Sequence, residues 1–173
     1  VYIDLNVMDE YGRTALYLAF EYGYSQLAEL LIQKSADFNI DLNAKCMIGW
    51  TAFHLACAGG SPKKAQMLMQ KSAEFNIDLN AKDYDGWTAF HAACKEGHFK
   101  IAEMLVQKSF EFNIDLNAKN VTGYTAFHYA CEEGHLQIAE MLVEKSIKFN
   151  IDLNAKAEDD WTAFHLVCQK GHF

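Results

Sequence analysis

Histidine and cysteine recur together in this sequence at a spacing that could support metal or acid–base chemistry. Residues three positions apart lie on one face of a helix, and the pairs are His54/Cys57, His91/Cys94, His128/Cys131 and His165/Cys168. A zinc ion needs about four ligands at roughly 2.0–2.3 Å. One pair supplies two ligands, and the next pair is 37 residues further along the chain. We therefore expect no metal ion and no other cofactor.

The remaining histidines form a second column with the same spacing, made of His98, His135 and His172. An enzyme needs its catalytic base once, whereas these histidines return at matching positions. The sequence also lacks a nucleophile elbow, a phosphate-binding glycine loop and a carboxylate pair outside the repeating pattern. We therefore predict that the chain is not an enzyme, that it has no catalytic residues, and that the histidines stabilise its scaffold.

The elements that position these side chains repeat every 37 residues. Ile-Asp-Leu-Asn occurs five times, beginning at Ile3, Ile40, Ile77, Ile114 and Ile151. A fixed period of this length predicts stacked units that bury their apolar faces against one another. We predict a single domain over residues 1–173, with repeats at 3–39, 40–76, 77–113 and 114–150 and a partial repeat at 151–173.

The repeat at 77–113 predicts the local structure of each unit. Residues 81–86 are polar and rich in turn-forming types, and they favour a projecting tip. Thr88 can cap a short first helix through its hydroxyl, and Gly97 can end that helix in the left-handed conformation. Apolar residues at helical spacing then predict a longer second helix, and the alternation at 114–117 predicts an extended return.

Three strings of residues, complete in the third and fourth repeats, carry a resemblance to a known family. They read Gly-x-Thr-Ala-Phe-His-x-Ala-Cys-x-x-Gly-His, then Ile-Ala-Glu-Met-Leu-Val, then Asp-Leu-Asn-Ala-Lys. This pattern resembles the ankyrin repeat along the whole chain. The resemblance implies an all-α ankyrin-repeat solenoid of stacked helix-turn-helix units with projecting hairpin or loop tips. It also implies that the first histidine of each unit bonds the nearby threonine hydroxyl and backbone.

The period departs from that of the family, which is about 33 residues. The four extra residues follow the second helix and amount to about one helical turn. Serine also replaces the glycine with which the family ends that helix, at Ser35, Ser72, Ser109 and Ser146. We therefore predict a second helix that is one turn longer, buries Phe38, Phe75, Phe112 and Phe149, and is capped by Asn39, Asn76, Asn113 and Asn150.

Many of the positions that differ between repeats lie at the tips and at the ends of the first helices. In the ankyrin family these places line the concave face that binds partners. A constant framework beside variable tips is what a protein–protein interaction scaffold would show. The candidate partner-binding residues are Tyr11, Arg13, Met47, Ile48, Trp50, Tyr84, Asp85, Trp87, Glu96, Val121, Tyr124, Glu132, Glu133 and Trp161.

The position before each capping threonine carries only large side chains, namely Arg13, Trp50, Trp87, Tyr124 and Trp161. Binding hot spots are enriched in Trp, Tyr and Arg. A large side chain at this position could equally shield each tip from water. Both interpretations stay open at this point.

The formal net charge of −8 argues against nucleic-acid binding, which uses a basic surface. Carboxylates are concentrated at the tips and first-helix ends of the later repeats, where they would steer a basic partner. Met47 and Ile48 make the tip of the second repeat apolar. We therefore expect a protein or peptide partner with an apolar anchor and a basic stretch. An acidic surface that serves only solubility is the alternative.

Location follows from what the sequence lacks. No stretch approaches the roughly 20 apolar residues of a membrane span, and no secretory signal opens the chain. Cysteines in one repeat column would be too far apart for disulfides, because packed helix axes lie roughly 8–10 Å apart. We expect a cytoplasmic protein without membrane contact, buried thiols in the repeat column, and an exposed thiol at Cys46 in a loop.

A function of another class remains open, in which the array is the cytosolic tethering arm of a larger channel or signalling protein. Phe164 and Val167 would lack a covering helix, although terminal repeats normally present a polar outer face. Homo-oligomerisation through such uncapped repeat ends would cover them.

Overall fold

The computed structural model describes residues 3–172, which form helices and turns and contain no β-strand. The helices are α1 (Ala15–Glu21), α2 (Ser25–Gln33), α3 (Ser35–Phe38), α4 (Ala52–Ala58), α5 (Pro62–Phe75), α6 (Ala89–Lys95), α7 (Phe99–Gln107), α8 (Ser109–Phe112), α9 (Ala126–Glu132), α10 (Leu136–Phe149) and α11 (Ala163–Lys170). The predicted all-α class is therefore confirmed.

The helices form two stacked layers. The first helices of successive repeats pack on one another in the order α1, α4, α6, α9 and α11, and the second helices stack beside them. Each first helix also packs on the second helix of its own repeat, as α6 does on α7. One hydrophobic core runs through the stack, from Leu16 in α1 to Ala163 in α11.

A threonine starts every first helix, and in four repeats a histidine completes its cap. The Thr88 hydroxyl accepts from the backbone N–H of His91, and the His91 ring accepts from the backbone N–H of Thr88 at 3.1 Å. This arrangement satisfies two backbone donors, as a glutamate does in the usual capping box. Equivalent pairs cap α4, α9 and α11.

The predicted extra turn of the second helix is present. In the second and fourth repeats it continues one unbroken helix of 14 residues, α5 and α10. In the first and third repeats the same turn is a separate short helix, α3 or α8, because the preceding helix ends two residues before the serine and one lysine separates the two helices. All four versions end at an asparagine in the left-handed conformation, with φ between 48° and 53°, at Asn39, Asn76, Asn113 and Asn150.

The prediction that this turn buries all four phenylalanines is wrong. Phe149 is buried, but Phe75 and Phe112 are half-buried and Phe38 is 43% exposed. The difference depends on the preceding repeat, because Phe149 stacks on Phe110 with 5.3 Å between ring centroids. The residues equivalent to Phe110 in the first and second repeats are alanines, and Phe38 belongs to the first repeat, so no second helix of a preceding repeat covers it among the described residues.

The return segment, which we predicted to be extended, contains a turn. Ile114 and Leu116 are buried as their alternation indicates, but the chain turns at Leu116 and Asn117. Hydrogen bonds from asparagine side chains join neighbouring return segments, in place of the backbone bonds that paired strands would form. The Asn80 amide donates to Asn113 O at 2.8 Å, and its carbonyl accepts from the backbone N–H of Asp115 at 2.8 Å.

The tips form a row of linked turns. The tip of the third repeat is closed by the backbone bond from Asp83 N–H to Trp87 O, 2.9 Å long. The next tip donates to it through Val121 N–H, which bonds Asp85 O at 2.9 Å. Gly86 has φ of 80°, and a Cβ there would lie 3.0 Å from the Asn120 backbone, so only glycine allows this close contact between tips.

The expectation that Cys46 is exposed is wrong, because the residue is buried, with 6% of its surface exposed. It lies at the base of the second tip against the Tyr17 hydroxyl. All five cysteines are free, and four are buried. Cys168 is exposed, because no described helix packs outside α11.

Candidate partner-binding surface

The tips and the ends of the first helices form one surface, which we call the tip face. It comprises residues 9–13, 46–50, 83–87, 120–124 and 157–161 of the tips, together with the C-terminal ends of α1, α4, α6, α9 and α11. Backbone bonds join neighbouring tips, and side chains join the tips to the helices. The Lys95 ammonium at the end of α6, for example, lies 5.0 Å above the Trp87 ring.

The structure places all fourteen candidate residues on the tip face, but at two depths. Eight are exposed, namely Tyr11, Met47, Ile48, Tyr84, Asp85, Glu96, Val121 and Glu133. Six are half-buried, namely Arg13, Trp50, Trp87, Tyr124, Glu132 and Trp161. The exposed group includes the apolar side chains at the tips, with Tyr84 the most open at 70%.

Three histidines of the first column, His54, His91 and His128, are neutral and link neighbouring repeats. Because the backbone N–H of Thr88 donates to His91 Nδ1, that nitrogen carries no proton, and Nε2–H donates to Tyr124 O at 3.0 Å. Burial lowers the pKa of His91 to about 4 and also lowers the pKa values of His54 and His128. Both ring nitrogens are engaged, so these histidines have no free lone pair for acid–base work.

The second histidine column links repeats in the same way. His98 Nε2 lies 2.7 Å from Ala58 O at the end of α4, and His135 Nε2 lies 2.7 Å from Lys95 O. Each ring covers a glycine of the preceding repeat. A Cβ on Gly97 would lie 2.6 Å from the His135 ring, so that glycine leaves room for the imidazole.

The large side chains before the threonines do shield the histidines. Their rings lie beside the imidazole of the same repeat, with centroids 5.8 Å apart for Trp50/His54, 6.0 Å for Trp87/His91, 5.1 Å for Tyr124/His128 and 5.9 Å for Trp161/His165. Shielding leaves these rings half exposed, so it does not rule out binding. Arg13 differs, because Asp9 and Glu21 already pair with its guanidinium at 2.8 and 2.9 Å.

Sequence reasoning missed an aromatic cluster at the centre of the tip face. The Tyr129 ring lies 4.3 Å from the Trp87 centroid and 5.4 Å from that of Tyr124, and the Asn120 amide donates to its hydroxyl at 2.9 Å. Burial raises the pKa of Tyr129 to about 12. The available signal was a variable column on the first helices, which holds leucine, alanine or tyrosine.

A cavity of about 370 Å³ lies at the C-terminal part of the tip face, between the fourth and fifth tips. Two candidate residues, Tyr124 and Trp161, line it together with Glu158 and Asp159. A second cavity of about 310 Å³ lies at the exposed end of the stack, where Phe127 and Phe164 meet α10. This second cavity is on the uncapped end and not on the tip face.

The described residues offer neither a metal site nor a membrane-spanning helix. Among residues 3–172, histidine, cysteine and carboxylate side chains nowhere converge in a group of three or more. None of the helices in that range has the length and apolar character that a membrane crossing needs.

Comparison with known proteins identifies the repeat. A family model described as ankyrin repeats, which spans three copies of the unit, matches residues 2–83, 39–120 and 76–155. No curated protein matches the chain. The three matches overlap and together cover nearly the whole sequence, and the capped first helices, stacked second helices and linked tips agree with them. The chain belongs to the ankyrin repeat family.

Proposed function

We propose that this chain is a non-catalytic protein-binding module that holds its partner on the tip face, the concave face in the ankyrin family. The observation that carries the proposal is the row of exposed apolar side chains at the tips, Met47, Ile48, Tyr84 and Val121. Isolated exposed apolar residues are ordinary, but Met47, Tyr84 and Val121 stand at matching positions of three consecutive tips, and Ile48 lies next to Met47. Backbone bonds hold those tips in fixed register.

A rigid surface favours binding, because little conformational entropy is lost when the partner docks. The side chains that could anchor a partner are supported from below by the histidine braces. Trp87, for example, rests against His91 and Tyr129. We therefore place the centre of the binding surface at the third and fourth tips.

The charge of the tip face favours a basic partner. Asp85, Glu96 and Glu133 are exposed there, and among residues 3–172 none of them forms an ion pair. An acidic field raises the association rate of a cationic ligand and opposes nucleic acid. The partner we propose is a protein or peptide with an apolar anchor and a basic stretch. The five free cysteines support a reducing compartment such as the cytoplasm.

The experiment compares partner capture by matched variants. Tyr84→Ala removes a ring from the tip face, and Phe110→Ala removes an equally exposed ring from the second-helix layer, since both side chains are 70% exposed. Glu133→Lys and Glu144→Lys make the same pair for charge, because both carboxylates are exposed. Cell proteins retained by each variant are quantified by mass spectrometry.

We expect Tyr84→Ala and Glu133→Lys to lose the same partners, by about tenfold or more for a hot-spot residue, while the controls retain them. Equal retention by all four variants would refute tip-face binding and favour a tethering arm. Loss only with Glu144→Lys would move the interface to the exposed end of the stack, where homo-oligomerisation would take place.

A further inference from the structure

The cavity between the fourth and fifth tips has the size of a binding site for one side chain. Its volume of about 370 Å³ is at the lower end of the roughly 300–1,000 Å³ range of ligand pockets. Tyr124 and Trp161 supply aromatic walls, Leu166 of α11 supplies an apolar wall, and Glu158 and Asp159 lie at its edge.

The fourth repeat shows how a side chain of the protein itself can fill this place. Tyr129 stands at the position equivalent to Leu166, and its ring lies against Trp87 and Tyr124 with its hydroxyl bonded to Asn120. In the fifth repeat both members of this bonded pair are replaced, by Leu166 and Ala157. The cavity therefore lacks a planar group that the fold provides one repeat earlier.

A positive charge is replaced at the same time. Lys95 Nζ lies 5.0 Å from the Trp87 ring centroid and 5.8 Å from that of Tyr129. The equivalent residue one repeat later is Glu132, whose carboxylate lies 3.8 Å from Lys170. The cavity thus lacks the ring that completes the preceding site, and a carboxylate stands at the position of its cation.

The carboxylates at the cavity are available to a ligand. Glu158 and Asp159 are exposed, and among residues 3–172 neither forms an ion pair. Asp159 is also close enough to affect Tyr124 in the aromatic wall. Burial raises the pKa of Tyr124 most, and the negative charges of Glu132 and Asp159 raise it further. The indole N–H of Trp161 has no partner among the described residues, whereas that of Trp50 donates to Asp83.

We propose that this cavity binds an arginine side chain of the partner, an inference that rests on the tip-face function proposed above. A guanidinium is planar and can stack on Tyr124 or Trp161 as Tyr129 stacks on Trp87. It is also a cation, as Lys95 is, and its N–H groups match the carboxylates of Glu158 and Asp159. A lysine side chain would supply the positive charge without a planar group, and a tyrosine side chain would supply a planar group without the charge.

The probes are four tripeptide amides, acetyl-Ala-X-Ala-amide, in which X is arginine, lysine, citrulline or tyrosine. Binding is followed by NMR through the Trp161 indole N–H resonance, assigned with Trp161→Phe. The indole resonances of Trp50 and Trp87 are internal references. We expect a saturable shift of the Trp161 signal with the arginine peptide. Lysine should bind at least about fivefold more weakly, because it cannot stack as a plane, and citrulline and tyrosine weaker still.

Variants of the protein test the two walls separately. Asp159→Asn and Glu158→Gln should each weaken the arginine peptide by about two- to fivefold, the usual effect of one exposed charge pair. Asp160→Asn is the matched control, because that carboxylate pairs with Lys156 and does not line the cavity. Leu166→Tyr combined with Ala157→Asn rebuilds the side chains of the fourth repeat and should abolish binding.

The outcomes separate this site from the wider proposal. No shift of the Trp161 signal, equal shifts with arginine and lysine, or tighter binding of tyrosine would each overturn the arginine site. An equal effect of Asp160→Asn and Asp159→Asn would do the same, since the charge would then act at a distance. The first two carboxylate variants keep the test decisive if the double variant does not fold. Loss of the arginine site would leave capture through Tyr84 and Glu133 unaffected.

Discussion

Acidification should weaken the stack through its buried histidines, and His91 allows a quantitative test. Its ring is buried and neutral, with Nδ1 bonded to Thr88 of its own repeat and Nε2 bonded to Tyr124 of the next. Protonation would place a hydrogen on Nδ1, which faces the backbone N–H of Thr88. The perturbation that we choose is His91→Gln, which removes this titrating group from the interface.

The sign of the effect follows from proton binding. Burial lowers the pKa of His91 from 6.5 to about 4 in the folded protein, so below pH 6.5 the unfolded chain binds more protons. The contribution of neutral His91 to the free energy of unfolding is complete above pH 6.5 and is lost as the pH falls towards 4. Below pH 4 it does not change further. At about 1.4 kcal/mol per pKa unit the whole loss is about 3 kcal/mol, of which about 2 kcal/mol falls between pH 7 and pH 4.5.

The assay is urea unfolding followed by far-UV circular dichroism at both pH values and constant ionic strength. His91→Gln lowers stability at pH 7 by removing hydrogen bonds, but its further loss on acidification should be about 2 kcal/mol smaller than that of the wild type. His165→Gln is the matched control, because His165 is exposed and has no carbonyl partner in another repeat among the described residues. An identical loss in wild type and His91→Gln would refute the reasoning.

Three further predictions test the packing of the stack. Phe149→Ala should cost about 3–5 kcal/mol as a core truncation, whereas Phe38→Ala should cost less than about 1 kcal/mol in the same urea assay, because Phe38 is 43% exposed; equal costs would contradict the packing. Asn80→Ala should cost about 1–3 kcal/mol by removing its bonds to two backbone groups where one repeat joins the next, Asn113 O and the N–H of Asp115. Asn154→Ala is its control, since the Asn154 side chain has no such partner among the described residues. In the native protein, Cys168 alone should react quickly with a thiol reagent, as the other cysteines are buried; rapid modification of a second thiol would contradict this.

The constant columns explain why so much of the fold could be predicted. A recurring residue whose partners also recur meets the same neighbours in every repeat, so one local argument holds for all copies. Asn76 and Asn150 end their helices in the left-handed conformation as the four-residue excess predicts. The histidine braces follow the family resemblance for the same reason, because each needs only a threonine and the carbonyl of the next unit.

The variable columns explain what could not be predicted. Phe149 is buried and Phe38 is not, although both occupy one column. Phe110 of the preceding repeat stacks on Phe149, whereas Phe38 lies in the first repeat. Cys46 was expected to be exposed because it lies in a tip, but the tips pack closely enough to bury it beneath Tyr17. Contacts between non-equivalent columns depend on the spatial offset between repeats, which the sequence pattern does not contain.

The same distinction limits where a partner can bind. A constant polar residue such as His91 has used its hydrogen bonds inside the stack, so a ligand that competed for them would break contacts between repeats. A side chain at a variable position is not part of those repeated hydrogen bonds, so a ligand can contact it without breaking them. Leu166 and Ala157 stand where Tyr129 and Asn120 form a bonded pair in the fourth repeat, and with these smaller side chains Tyr124 and Trp161 line a cavity. The arginine site that we propose depends on these variable positions, while the constant histidines and asparagines hold the walls of the cavity in place.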